Sequence, residues 1–291
     1  MLRELFVNLK KGTEYLNYGR DIIGEWAAWY FEKIMRSPGS DNQPEIRVFD
    51  LGCGHGTDLL NVRLAGEKVC DKNRKTARII LQGVENYPPY AEECRYAGIE
   101  IHSIDMEHDM IPADDASVDI MIANQVLEHT KEIFWIFSEA SRVLKPGGIF
   151  ITGVPNLASL HNRLLLLFGK QPTAQKSLSA HVRTFTYGDL KEFGEEGGFF
   201  RVVVSRGSNF YPFPPFISKP LSRLMPSMAW GLFVLFERSE KKDGVFLDRL
   251  FNGEVLETPF YGGPQNPQKE HLMKFPVKKS SKKLSKKKSK K

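Results

Sequence analysis

The stretch Val48-Phe49-Asp50-Leu51-Gly52-Cys53-Gly54-His55-Gly56 limits what this chain can fold into more than any other. It is an apolar run ending in an acid and three glycines spaced two apart. The run reads as a strand. Glycines at alternating positions let the backbone take positive φ and let a ligand lie against bare peptide, where any Cβ would obstruct it. Thr57 can then cap a helix through Asp58, Leu59, Leu60, Val62 and Leu64, so that its amino-terminal amides and positive dipole end face the same crevice. Strand, glycine turn and helix form one unit. Alone, such a unit is either a cofactor loop or a plain tight turn.

The rest of the chain repeats that alternation. Ile23, Trp26, Ala27, Tyr30 and Ile34 form the stripe of an amphipathic helix before the turn, and a polar Pro/Gly linker from Ser37 to Pro44 separates it from strand one, which begins near Ile46. Ile79–Glu85, Ile99–Asp105 and Val118–Asn124 read as strands two to four, each ending in a polar residue. A helix marked by Ile133, Ile136, Phe137, Ala140, Val143 and Leu144 stops at Lys145-Pro146-Gly147-Gly148, and strand five runs from Ile149 to Val154. After an irregular stretch to Tyr187 come a helix at Asp189–Glu196, a strand at Phe199–Ser205 and a last strand at Trp230–Phe236. Alternation of this kind predicts a parallel sheet with helices on both faces and ligands at the carboxyl ends of its strands.

Dinucleotide folds space their glycines as G-x-G-x-x-G. Here the spacing is D-x-G-x-G-x-G, which resembles motif I of the class I S-adenosylmethionine (SAM) methyltransferases. Four further signatures follow in that family's order: Glu85 after strand two, Asp105-Met106 after strand three, Asn124-Gln125-Val126-Leu127-Glu128-His129 after strand four, and Arg142-Val143-Leu144-Lys145-Pro146-Gly147-Gly148 before strand five. Over roughly residues 46 to 205 the chain is similar to the methyltransferase type 11 and quinone-biosynthesis-like group. The resemblance implies a SAM site made of Asp50, Gly52, Cys53, Gly54, Gly56, Glu85, Asp105, Met106, Asn124 and Gln125. In it Glu85 accepts from the ribose hydroxyls, Asp105 caps the adenine amino group and Met106 lies against the ring. It also implies a fold: an α/β, Rossmann-like, seven-stranded, mainly parallel sheet with helices on both faces, an N-terminal helical extension and a lid insertion after strand five. The expected organisation is an extension over 1–44, a methyltransferase domain over 45–250 with a lid at about 156–187 and an apolar segment at about 210–228, and a disordered lysine-rich tail over 251–291.

Charge separates that tail from the body. Lys274 to Lys291 contains ten lysines and no acid; removing those ten from the 41 basic residues leaves 31 against 35 acids, so the +6 net charge sits in the tail. Such a run repels itself and stays disordered. It can bind an anionic membrane peripherally, or less readily nucleic acid, or act only as a solubilising appendage. No stretch approaches the roughly 20 apolar residues of a membrane span and Met1-Leu2-Arg3-Glu4 lacks a signal-peptide layout, so a cytoplasmic setting is expected. Cys53, Cys70 and Cys94 show no C-x-x-C pairing and no histidine at ligand spacing, so neither a disulfide framework nor a metal site is expected.

Methyl transfer from a sulfonium needs alignment more than a catalytic residue. If the acceptor is a hydroxyl, a base must take its proton, and His129 and His181 are the candidates, since histidine titrates near neutrality. His181 opens His-Val-Arg-Thr-Phe-Thr, similar to an H-x-x-x-F-T element that follows the substrate-covering insertion in related enzymes. Both histidines have purely structural alternatives. Macromolecular acceptors lose ground: the [DN]-P-P-[YF] signature of amino-methylating DNA enzymes is missing after strand four, and Tyr87-Pro88-Pro89-Tyr90 copies it only after strand two. Neither the cysteine of RNA C5 enzymes nor the paired glutamates of arginine methyltransferases are present. The segment Asn156–Pro172 contains N-R-L-x-x-L-x-G-x-x-P, loosely similar to methyltransferases of surface-glycan and lipid-linked saccharide pathways. The expected function is therefore O-methylation of a small, glycan or lipid-linked acceptor. The alternatives are a quinone or isoprenoid methyltransferase, or a non-enzymatic methyltransferase-like binding module tethered by the basic tail.

Overall fold

Along Val118–Asn124 neighbouring side chains enter different cores: Ile120 and Ile122 join one buried cluster, Met121 and Ala123 the other. A strand apolar on both faces must be covered on both, which is why its sequence is a continuous apolar run. The computed structural model of the chain describes residues 19–37, 43–177, 179–241 and Phe246. The expected tail over 251–291 and the first 18 residues of the extension lie outside the described residues. In chain order the elements are α1 (Arg20–Arg36), β1 (Glu45–Asp50), α2 (Thr57–Asn73), β2 (Arg78–Val84), α3 (Pro88–Tyr96), β3 (Glu100–His102), β4 (Val118–Asn124), α4 (Ile133–Val143), β5 (Leu144–Pro155), α5 (Leu160–Leu167), α6 (Tyr187–Glu195), β6 (Phe200–Ser208), α7 (Pro215–Leu224) and β7 (Gly231–Arg238). Among the described residues no helix is long and apolar enough to cross a membrane.

The sheet has seven strands in the order β3-β2-β1-β4-β5-β7-β6. The first five are parallel; β7 runs antiparallel to both β5 and β6. The chain winds from β1 to β2 and β3, then jumps back to β4 on β1's other side. The carboxyl ends of β1 and β4 are thus the topological switch point, where open α/β sheets bind ligands. One face is covered by α1, α2 and α3. Trp26, Tyr30 and Phe31 of α1 are buried there, and Gly66 of α2 lets the Phe31 ring approach: a Cβ on Gly66 would stand 2.5 Å from it. Phe137 of α4 anchors the other face, edge-on to Phe150, Phe200 and Phe236. Each such fully buried ring contributes about 1.5–3 kcal/mol of apolar burial.

Two strand limits differ from the sequence reading. Strand three ends at His102 rather than Asp105, because the next residues satisfy their amides with side chains: Asp109 accepts from the Asp105 amide at 2.8 Å and Asp105 from the Glu107 amide at 3.0 Å. Strand five starts at Leu144, so Lys145-Pro146-Gly147-Gly148 is extended backbone at a register shift against β4 rather than a helix stop. The buried Asp119 carboxylate holds that shift. It accepts from the Lys145 ammonium at 2.7 Å, the Arg47 amide at 2.9 Å and the Tyr30 hydroxyl at 3.4 Å, joining β1, β4, β5 and α1. Asp119→Ala strands all three donors; urea unfolding is expected to show a loss of about 2–4 kcal/mol, and a loss under 0.5 kcal/mol would remove Asp119 from that role.

Candidate functional site

Asp50 closes β1, and the next six residues form a turn strapped to both neighbouring strands. The Leu51 amide donates to Ile122 O of β4 and the Cys53 amide to Val84 O of β2, both at 2.9 Å. Gly52, Gly54 and Gly56 all adopt left-handed φ, +65°, +53° and +70°. At Gly52 a Cβ would meet Val126 at 3.0 Å, so the turn presses against the segment after β4; at Gly54 nothing lies within 4 Å, so bare backbone faces open space. Gly56 is a packing glycine over Ile99 and Cys94. The Cys53 thiol is buried against Gly83 of β2, so it is the Cys53 backbone that the turn presents.

Glu85, directly after β2, locks this geometry. One carboxylate oxygen accepts from the Gly54 amide at 3.0 Å and the other from the Tyr87 amide at 2.7 Å. A carboxylate has about four acceptor positions, so lone pairs remain for a diol. Asp50 and Asp58 are buried beside it. Burial, followed by the charges of Asp58 and Glu85, holds Asp50 well above the usual carboxylate range. Burial also raises Asp58, against the pull of Asn124 and Arg20; the Asn124 amide donates to it at 2.9 Å and the Arg20 guanidinium lies 3.6 Å away. Three carboxylates around an exposed backbone cradle suit a cationic ligand that needs close approach. That is the charge and shape of SAM, with its ammonium and sulfonium, so the residues present fit the cofactor that the sequence resemblance implies.

The other expected site residues fall around the same turn. Asn124 ends β4; Gln125 follows in the left-handed region (φ 58°), its amide donating to Gly153 O at 2.7 Å. The Met106 methyl lies 3.9 Å from where a Gly52 Cβ would stand, on the crevice wall. Asp105 is exposed and paired with His108 at 2.8 Å. His55 is outside the crevice, in an exposed pair with Glu93 at 2.6 Å. Tyr87-Pro88-Pro89-Tyr90 starts α3, prolines suiting a first helical turn. Arg142 is bound by Glu139, Asp115 and the carbonyls of Ile111 and Ala113, a structural clamp beside a groove of about 580 Å³ to which the glycine turn contributes no wall. Asp58 and Arg20 were missed. A buried acid in the second position of a helix was the available signal for Asp58; Arg20 had none.

The two histidines, 52 positions apart, meet. A 3₁₀ turn, Leu127–His129, follows Val126, and the insertion between β5 and α6 returns across it: Val182 and Arg183 donate their amides to Glu128 O at 2.9 and 3.1 Å. The His129 and His181 rings are edge-on with centroids 4.8 Å apart. Burial, aided by His181, holds His129 below the ordinary imidazole range despite the Ala180 carbonyl. Beneath them Glu128 is buried, and burial pushes its carboxyl up to about 7. Asn162 of the N-R-L segment is an internal staple, donating to Asn156 O and accepting from the Thr173 amide.

Comparisons with known proteins point the same way. Residues 49–152 match the family described as "Methyltransferase domain". Over 137 residues the chain is 31% identical to an uncharacterized 37.1 kDa protein in a transposon of Streptomyces fradiae, covering 46% of this chain and 37% of that one. It is 28% identical over 152 residues to a probable S-adenosylmethionine-dependent methyltransferase of Mycolicibacterium smegmatis, covering 52% and 51%. It is 27% identical over 120 residues to a ubiquinone biosynthesis O-methyltransferase of Maricaulis maris, covering 39% and 42%. The chain thus spans about half or less of the length of these curated relatives. The glycine turn, the acid after β2 and the β4 terminus all fall inside the segment that matches the methyltransferase-domain family.

Proposed function

We propose that the chain transfers a methyl group from SAM to an oxygen of a small, glycan or lipid-linked acceptor, working at an anionic membrane surface. The observation that carries the first half is the open backbone at Gly54 ringed by Asp50, Asp58 and Glu85. SAM, when bound, supplies an electrophilic methyl on a positively charged sulfur. The protein's part is to hold it: the carboxylates balance its charge, the remaining lone pairs of Glu85 suit the ribose hydroxyls, and Met106 and Val126 exclude water from the wall. Asp105 is the candidate for the adenine amino group, a role that requires a lone pair beyond those taken by His108 and the Glu107 amide. On the acceptor side, the Glu128–His129–His181 cluster is the group able to receive the hydroxyl's proton or to hold its oxygen.

The membrane half rests on the two helices beyond the sheet. Leu164, Leu166, Leu167 and Phe168 on and after α5, and Phe216, Ile217 and Leu224 on α7, are exposed. The rings of His161 and Tyr211, 5.3 Å apart, join the two segments. Their charges are all basic, Arg163, Lys170, Lys219 and Arg223, with no acid between Glu139 and Asp189 or between Glu196 and Glu237. An apolar surface fringed only by cations suits an anionic lipid interface. The similarity to a ubiquinone-pathway enzyme keeps a quinone acceptor as the second reading.

Isothermal titration should show saturable SAM binding that Gly52→Arg abolishes; binding unchanged by that substitution would end the proposal. Because Asp50 sits above its usual range without ligand, a bound cation must pull it down and release its proton. SAM affinity is therefore expected to rise with pH through the Asp50 transition, and the observed enthalpy to differ between Tris and phosphate buffers. Asp50→Asn should diminish both effects. Vesicles containing phosphatidylserine should retain the full chain, with binding weakened about tenfold by the paired change Phe168→Glu and Phe216→Glu and further by truncation before Lys274. Retention indifferent to both would remove the membrane. Labelled SAM with lipid extracts separates a glycolipid product from a methylated quinone.

A further inference from the structure

Glu128 is a buried carboxylate with nothing to hold. Its side chain is 2% exposed, and beyond a contact with its own backbone amide neither oxygen has a hydrogen-bond partner among the described residues. Burying such a group is costly unless a proton or a cation accompanies it. A proton alone leaves its O–H without an acceptor, since the nearest imidazole nitrogen, His129 Nε2, is 4.0 Å away. Among the described residues no cation pairs with Glu128; the ionisable groups grouped with it are His129 and His181.

Those two imidazoles are arranged as ligands. His129 Nδ1 lies 3.3 Å from Ala180 O and His181 Nδ1 lies 3.0 Å from Ala174 O. A carbonyl can only accept, so each Nδ1 carries the hydrogen and each Nε2 keeps its lone pair. Backbone carbonyls fix the tautomer of metal-bound histidines in this same way. Glu128, His129 and His181 each offer one ligand atom, all within 4.8 Å of one another. Bonds of about 2.0–2.2 Å to a tetrahedral ion set ligand atoms roughly 3.4 Å apart, so the widest pair of the cluster closes by up to about 1.4 Å, within reach of side-chain rotation. Sequence reading expects no metal, because these ligands lie 52 positions apart and only the returning insertion unites them.

We propose that Glu128, His129 and His181 bind one divalent first-row transition ion, of which Zn²⁺ is the type. Two imidazoles and one carboxylate select such an ion over Mg²⁺, which favours oxygen ligands and water. Three protein ligands leave at least one position open. One 3₁₀ turn from Val126, on the rim of the SAM crevice, that position holds an acceptor oxygen, and the ion, rather than an imidazole, lets its hydroxyl give up a proton to water near neutral pH. This acceptor role rests on the methyltransferase reading; ion binding does not.

The full chain, stripped of metal with chelator, is titrated with Co²⁺ and followed by visible absorption, then displaced with Zn²⁺. One equivalent with bands of a four- or five-coordinate ion is expected. Glu128→Gln, His129→Gln and His181→Gln should each weaken binding at least 100-fold, beyond the 10–100-fold typical of an outer-shell partner. SAM titration of the same variants reports folding, with His181→Gln the deciding variant because His181 lies outside the glycine turn. No saturable Co²⁺ uptake, or uptake equal in wild type and all three variants, overturns the metal site while leaving SAM binding to stand by itself. Co²⁺ uptake without SAM binding would instead overturn the methyltransferase reading and leave the site.

Discussion

Everything at the carboxyl edge of this sheet depends on one carboxylate holding one strained turn. Three residues between Gly52 and Gly56 occupy the left-handed region, which would cost an ordinary side chain about 1–2 kcal/mol each. Glycine removes most of that penalty without choosing the conformation. Glu85 chooses it, by accepting the Gly54 amide with one oxygen and the Tyr87 amide with the other, so that the β1 turn and the start of α3 share an anchor. The amides of Leu51 and Cys53 complete the strap to β4 and β2. The turn is thereby fixed before any ligand arrives, and the backbone at Gly54 is left open because its polar partners come from one side.

That anchoring has an electrostatic consequence. Asp50, Asp58 and Glu85 crowd into a buried edge, and burial first, then the neighbouring carboxylates, hold Asp50 above the usual range. Without ligand this arrangement is unfavourable. Arg20 and Asn124 relieve it only at Asp58. A cationic cofactor relieves it throughout, so part of the site's affinity is stored as repulsion in the free protein. The α1 helix takes part for the same reason: it packs on the sheet through Trp26 and Phe31, and that packing delivers Arg20 to the crevice.

How much of this was legible in the sequence follows from the range of each interaction. β4, read as Val118–Asn124, matches to the residue because its signal is its own apolar run, buried on both faces and closed by the polar Asn124. Asp50, the glycines, Glu85 and Asn124 were legible as positions because strand ends carry them to one edge whatever the helices do. Cys53 contributes its backbone to the turn, while its thiol is buried against Gly83 of β2, a neighbour 30 positions away that no local pattern names. Strand three was drawn too long because Asp105 and Asp109 consume backbone amides that an apolar count ignores. Lys145-Pro146-Gly147-Gly148 was read as a stop because its glycines and proline suit one; the buried Asp119, 26 positions away, makes it a bulged strand instead.

The acceptor wall shows the same rule at its limit. Glu128 and His129 are adjacent in sequence, yet nothing local says that Glu128 turns inward and keeps no hydrogen-bond partner beyond its own backbone amide. His181 is brought to them by Val182 and Arg183 donating to Glu128's carbonyl and by Phe185 bridging to Asn156. Those contacts are backbone to backbone, so side-chain patterns do not encode them. The chain therefore holds its cofactor wall in short-range signals and its acceptor wall in the path of one insertion. Changes of length or sequence in residues 156–187 can re-aim His181 and reshape the acceptor side while leaving the glycine turn, and the strand ends that frame it, as they are.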